Sequence, residues 1–247
     1  MKTFKTTALF AAVFLYIFTF NSCKSYPPAF EVNQFYTDSN DKVIFIDEAS
    51  YIAIMPKNQD QAFTAESAII FYPGGLVDYH SYLPLMTDCA EHGAACFIVK
   101  MPLNFAFMNK NAAGNFVADH PEIKNWYLAG HSLGGAMAAS YISEHTEDFK
   151  GLILLAAFST RDISDSNLKV LSIYGSNDGI LNLEKYNLYK KNLPPSGKGL
   201  TEIVLDGGNH AHFASYGEQK GDGKADITPE EQQKATAAEI IQWAGLK

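Results

Sequence analysis

The chain of 247 residues has no long basic run: its 19 Lys and Arg are scattered among 27 Asp and Glu, for a formal charge of −8. Phosphate backbones are bound by clustered positive charge, so no nucleic-acid partner is expected. The acidity bears on solubility rather than on what is bound. Cysteines are few, at positions 23, 89 and 96, and no Cys/His spacing matches a zinc site. Gly221-Asp222-Gly223 lacks the upstream Asp/Asn spacing of a calcium-binding EF-hand loop and reads as a surface turn. Nothing calls for a metal or an organic cofactor. Internal repeats and domain-splitting linkers are also missing, and 47% apolar residues suffice for a sizeable core, so one large domain is expected.

The apolar run at residues 8–20 is shorter than the ~20 residues of a membrane span. It follows Lys2 and Lys5 and precedes small polar residues, the pattern of a secretory signal. Phe20-Asn21-Ser22-Cys23 resembles a bacterial lipoprotein processing site, where a small residue precedes the cysteine that becomes lipidated. The expectations are a signal peptide over residues 1–22, lipidation of Cys23, a tether over 23–42 and a folded domain over 43–247. Export and a lipid anchor in the cell envelope would follow. Cys89 and Cys96 are expected to be buried free thiols, because their spacing does not establish disulfide geometry.

Short apolar runs alternate with helical patterns from residue 43 onward. Strands are expected at 43–47, 51–55, 67–72, 95–100, 126–129, 151–156, 169–174 and 201–205. Helices are expected over 78–92, over 132–144, over 183–192 and over 230–244, with a further helical stretch ending near 119. This alternation means βαβ units and an α/β fold with a mostly parallel sheet, whose ligands sit at the carboxyl ends of strands. The stretch between residues 156 and 169 is too short for a sizeable lid.

The chemistry centres on Gly130-His131-Ser132-Leu133-Gly134. The motif follows an apolar strand and opens a helix rich in Gly and Ala, as a G-x-S-x-G nucleophile elbow requires. A turn this sharp leaves little room around the serine, and the helix start aims free N–H groups at developing negative charge. A serine hydroxyl needs a base, and the base needs an orienting acid. Asp178 follows the strand ending near Tyr174, whereas Asp162 and Asp165 precede that strand and lie at its wrong end. His210 and His212 both follow the next strand; His210, first after Gly207-Gly208, is the preferred base. His131 reads as a packing residue. The oxyanion donors are expected to be the N–H of Leu133 and that of Leu76 or Gly75, in the loop Tyr72-Pro73-Gly74-Gly75-Leu76.

From Ser67 onward the chain resembles the α/β-hydrolase family, and within it a small bacterial subgroup without a lid. The matching segments are residues 71–78, 99–104, 130–135 and 207–211, with Tyr216-Gly217 and Gly221-Asp222-Gly223. The resemblance implies the triad Ser132, Asp178 and His210 and cleavage of a carboxylic ester or related acyl bond in a small-molecule substrate. A thioesterase or peptidase of the same fold, and a ligand-binding lipoprotein without catalysis, are the alternatives.

Overall fold

The computed structural model describes residues 25–38, 42–57 and 65–246. The expected signal peptide and Cys23 lie outside the described residues. Among these residues an eight-stranded sheet forms the centre, in the order β1-β2-β4-β3-β5-β6-β7-β8. β1 (Val43–Asp47) and β2 (Tyr51–Pro56) form the expected hairpin, and β2 pairs antiparallel with β4 (Ala94–Val99). β3 (Ser67–Tyr72), β4, β5 (Asn125–His131), β6 (Gly151–Leu155), β7 (Lys169–Gly175) and β8 (Leu200–Leu205) run parallel.

Two apolar layers cover the sheet. In β3, Ile69 and Phe71 enter one layer while Ala68, Ile70 and Tyr72 enter the other, and all are buried. This two-residue alternation with both faces covered explains the continuous apolar runs in the sequence. α5 (Leu183–Tyr189) lies between β7 and β8, and the first layer holds α2 (Leu83–Glu91) and α6 (Pro229–Ala244), through Leu85, Met86, Cys89, Ala237 and Ile240. α6 is delimited by a capping box between Thr228 and Glu231 and by Gly245, whose φ of 71° ends the helix. The second layer holds α3 (Ala113–Asp119) and α4 (Leu133–Ile142), through Ala113, Phe116, Ala138, Ala139 and Ile142. Cys89 and Cys96 are free and buried.

Three local expectations are corrected. The segment read as a tether is packed over residues 26–36. It contains α1 (Val32–Asp38), and Tyr26, Phe30, Phe35 and Tyr36 lie against the first layer. The helical stretch before Asp119 is broken into two 3-10 turns and the short α3, because Leu103 and Asn104 adopt left-handed φ values of 52° and 58°. The helix expected from Asp78 begins as a 3-10 turn over Tyr79–Tyr82, capped by Asp78, before α2 starts at Leu83. None of the described helices is long and apolar enough to cross a membrane.

The strand order determines where a ligand can enter. β3 connects to β4 on one side, and the chain then passes back across β3 to place β5 on the other. Such a reversal opens a crevice at the carboxyl ends of the two diverging strands. The loop after β3 carries Gly74 and Gly75, and the turn after β5 carries Ser132. Only residues 156–168 separate β6 from β7, with no sizeable lid.

Candidate active site

Ser132 stands between β5 and α4 with φ 52° and ψ −122°, a strained conformation for a residue with a side chain. Its N–H donates to the Leu155 carbonyl at 2.9 Å, which ties the turn to β6. Glycine is required close by. A Cβ on Gly134 would lie 2.1 Å from the Tyr72 carbonyl oxygen, and one on Gly130 would lie 2.6 Å from the Gly135 nitrogen. α4 can therefore begin directly against the end of β3. The first N–H groups of a helix have no partner within it, so Leu133 presents a donor beside Ser132.

The loop after β7 carries Asp178. Its Oδ1 accepts N–H bonds from Ile180 at 2.8 Å and from Leu181 at 2.7 Å. Its Oδ2 lies 2.9 Å from Nδ1 of His210, which follows β8. Both side chains are almost fully buried, at 1% and 2% exposure. A carboxylate locked by two backbone donors fixes the direction of the imidazole. Nδ1 carries the proton toward Asp178, and Nε2 is left as the free acceptor.

Ser132, Leu133 and His210 line one cavity of about 320 Å³, whose walls are mainly Ala136, Ala156, Ala157, Phe158, Ile180 and Leu181. Asn182 and Lys185 supply polar lining. A larger depression of about 520 Å³ runs along β1, lined by Tyr36, Val43, Ile44, Phe45, Asp47 and Lys57, none of them a serine or histidine.

The other candidates separate on geometry. The His212 ring faces the Ile227 carbonyl, with Nδ1 at 3.1 Å from it, away from the Ser132 cavity. Asp162 accepts from the backbone and hydroxyl of Ser164, as a turn residue does. Asp165 lines a separate surface cavity with Thr146 and Asn167. Leu76 is corrected as an oxyanion donor, because its N–H donates to the Asn104 carbonyl at 2.8 Å. Gly75 is left as the candidate donor on that loop. Gly75 sits beside Leu133, and a Cβ there would come 3.1 Å from Leu133 Cδ2.

Two supporting groups go beyond what the sequence suggested. Asp222, read as part of a surface turn, is a clamp. Its Oδ1 accepts from the N–H groups of Gly179, His210 and Gly223 at 3.0, 3.2 and 2.8 Å, and its Oδ2 accepts from Ala211 at 2.8 Å. It thus joins the loop that carries Asp178 to the loop that carries His210. The signal available was a lone acid between two glycines, with nothing local to say which loops it meets. The second group is a buried chain behind Ser132 and His210. Gly74 N–H donates to Tyr82 Oη at 2.9 Å, and Oη lies 2.8 Å from His131 Nδ1. The hydroxyl proton is left with Nδ1 as its acceptor, so His131 is neutral with its proton on Nε2. Burial holds the His131 pKa well below its ordinary value, and the neighbouring His210 adds to the effect. The rings of His131 and His210 are 4.7 Å apart, so His131 is the packing residue expected, but one wired to the Gly74-Gly75 loop.

Residues 68–234 match the alpha/beta hydrolase family. No curated protein matches the chain in sequence. Among solved structures, the fold is similar to Est1E from Butyrivibrio proteoclasticus, with 15% identity, a TM-score of 0.57 and coverage of 83% of this chain and 100% of that one. It is also similar to a thermophilic esterase from Thermogutta terrifontis, at 15% identity and a TM-score of 0.56, covering 83% and 93% of the two chains. A predicted CIB-like hydrolase from Thermoplasma acidophilum matches at 15% identity and a TM-score of 0.55, covering 81% and 97%. These likenesses concern the fold, whereas the family match extends over most of the chain. With a G-x-S-x-G turn at the switch point of its sheet, the chain belongs to the alpha/beta hydrolase family and is a hydrolase of that fold.

Proposed function

We propose that the protein cleaves carboxylic esters through an acyl-enzyme, with Ser132 as nucleophile, His210 as general base and acid, and Asp178 as the residue that orients His210. The observation that carries this reading is the buried 2.9 Å contact between His210 Nδ1 and Asp178 Oδ2 beside the cavity that Ser132 also lines. His210 Nε2 takes the proton of the Ser132 hydroxyl as Oγ attacks the ester carbonyl. The carbonyl oxygen becomes an oxyanion, stabilised by the N–H groups of Leu133 and Gly75. Such donors contribute about 3–4 kcal/mol each in the transition state. His210 returns the proton to the departing alcohol, leaving the acyl group on Ser132. Water then attacks the acyl-enzyme with His210 again as base, and Ser132 is regenerated. Asp178 keeps the reactive tautomer and supports the imidazolium formed in each half-reaction.

The small apolar cavity favours short acyl groups over long ones. As part of the same proposal, the chain is exported and held in the cell envelope by lipid on Cys23. A series of p-nitrophenyl esters of increasing acyl length tests the reaction. Highest kcat/KM on short acyl chains, with turnover lost in Ser132→Ala, is expected. Equal turnover by wild type and Ser132→Ala would contradict the proposal.

A further inference from the structure

The loop between β4 and α3 holds large apolar side chains in water. Leu103 is 76% exposed, Phe107 48% and Met108 49%. Scattered exposed apolar residues are ordinary, but three within six positions on one braced loop form a patch. The brace is visible in the backbone. Leu103 and Asn104 keep left-handed φ values, in which Cβ crowds a neighbouring carbonyl. Asn104 N–H donates to the Met101 carbonyl at 2.9 Å, and the Asn104 carbonyl accepts the Leu76 N–H. The Phe105 ring lies 3.8 Å from where a Gly75 Cβ would stand, and its centroid is 5.1 Å from that of Phe107. The patch is therefore fastened to the loop that flanks the candidate oxyanion donor. Residues 101–118 include no Asp or Glu, and Lys110 is their only charged residue, in a chain where about one residue in nine is acidic.

The entry point of the chain lies at the same place. Ser25, the first described residue, accepts a hydrogen bond on Oγ from Asn104 Nδ2 at 3.2 Å. Tyr26 is paired to both sides of the same loop system, its N–H donating to Leu76 O and its carbonyl accepting from Asp78 N–H. Cys23 is two residues upstream, and two residues span at most about 7 Å of extended chain. Lipid on Cys23 would thus enter a bilayer within that distance of Ser25, next to Leu103 and its neighbours.

We propose that Leu103, Phe107 and Met108 dock on a lipid bilayer surface and turn the mouth of the Ser132 cavity toward it, so that the substrates include membrane-held esters that present a short acyl group to the cavity. The proposal rests on ester hydrolysis at Ser132 and on lipidation of Cys23. Apolar side chains on a loop without carboxylates of its own, whose Lys110 pairs with Glu144 beside it, suit the boundary between headgroups and acyl chains.

The test uses the full chain, processed in a bacterial host and reconstituted into phosphatidylcholine vesicles whose acyl chains carry bromine. Phe107→Trp places a fluorophore on the patch. The native tryptophans are built-in controls, because Trp126 is buried near the start of β5 and Trp243 packs on Gly151 at the start of β6. Several-fold stronger quenching at position 107 than of the native pair is expected. The triple variant L103S/F107S/M108S is expected to lose about tenfold in turnover of a vesicle-held ester, while hydrolysing a water-soluble short ester at the wild-type rate. Vesicle association without quenching at 107 overturns the docking and leaves the anchor standing. No association, in wild type as in Cys23→Ala, overturns both. Equal loss of both rates in the triple variant overturns the proposal by assigning the loop to the cavity itself. A dimer that the triple variant dissociates, with position 107 unquenched, overturns it in favour of a second copy of the chain. Quenching at 107 with neither ester hydrolysed supports the docking and overturns the ester reading.

Discussion

Asp222→Ala removes a group that touches neither Ser132 nor the cavity, yet it should slow catalysis. The carboxylate accepts four backbone N–H bonds, and two of them, from His210 and Ala211, hold the base loop where it faces Asp178. A hydrogen bond to a charged group contributes about 1.5–3 kcal/mol when buried. Asp222 is half-buried, so water can replace part of what is lost. The net loss of folding stability is expected to be about 2–3 kcal/mol, well short of four full bonds. The effect on turnover comes from displacement of His210, and a misplacement of about 1 Å can cost about 10²-fold. The expectation is that kcat falls roughly 10- to 100-fold with KM little changed, since no substrate contact is removed. Asp222→Asn should lie between, because the amide oxygen can replace Oδ1 while its NH2 meets the Ala211 N–H without accepting from it. Urea unfolding and ester kinetics well below the melting temperature measure the two effects separately. Wild-type kcat in Asp222→Ala, in a protein that is still folded, would refute the clamp.

The two histidines after β8 should part company: His210→Ala is expected to abolish turnover, while His212→Ala, which loses only a contact to the Ile227 carbonyl, keeps most of it in the same ester assay. Gly134→Ala should destabilise by about 3 kcal/mol or more in denaturant unfolding, because its Cβ meets two backbone carbonyl oxygens at 2.1 and 2.4 Å and neither can yield without moving β3. Tyr82→Phe leaves the Gly74 N–H and His131 Nδ1 without their shared partner, and should cost about 2 kcal/mol in the same measurement. His131 sets an acid limit. It stays neutral when folded, so below the ordinary histidine pKa of about 6.5 the unfolded chain takes up a proton that the folded chain refuses. Stability from this group is therefore fully present above about pH 6.5 and is lost as pH falls, by at most ~1.4 kcal/mol per pH unit. His131→Gln should flatten that slope between about pH 6.5 and 5, and an unchanged slope would place the linkage elsewhere.

What was legible in the sequence is what local pattern encodes. Buried parallel strands such as β3 and β6 show as unbroken apolar runs, and Gly130 and Gly134 mark a turn where backbone meets backbone. Asp178 and His210 stood out because each follows a strand at the end where such sheets bind ligands. What was not legible depends on partners far along the chain. The choice between Gly75 and Leu76 turns on a carbonyl at Asn104, 28 residues later. Asp222 is ordinary until Gly179 and His210 are brought to it. The aromatic residues from Tyr26 to Tyr36 read as a tether because their burial is entirely tertiary. The break at Leu103 and Asn104 escaped because helical spacing continues through a left-handed turn that side-chain type does not announce.

The central claim is that Ser132 is a nucleophile activated by His210, and covalent trapping tests it most directly. The protein is treated with a fluorophosphonate, digested, and mapped by mass spectrometry. One adduct, on the peptide containing Ser132, is expected in wild type, absent in Ser132→Ala and formed far more slowly in His210→Ala. No adduct in wild type, or equal labelling after Ser132→Ala, would contradict the account.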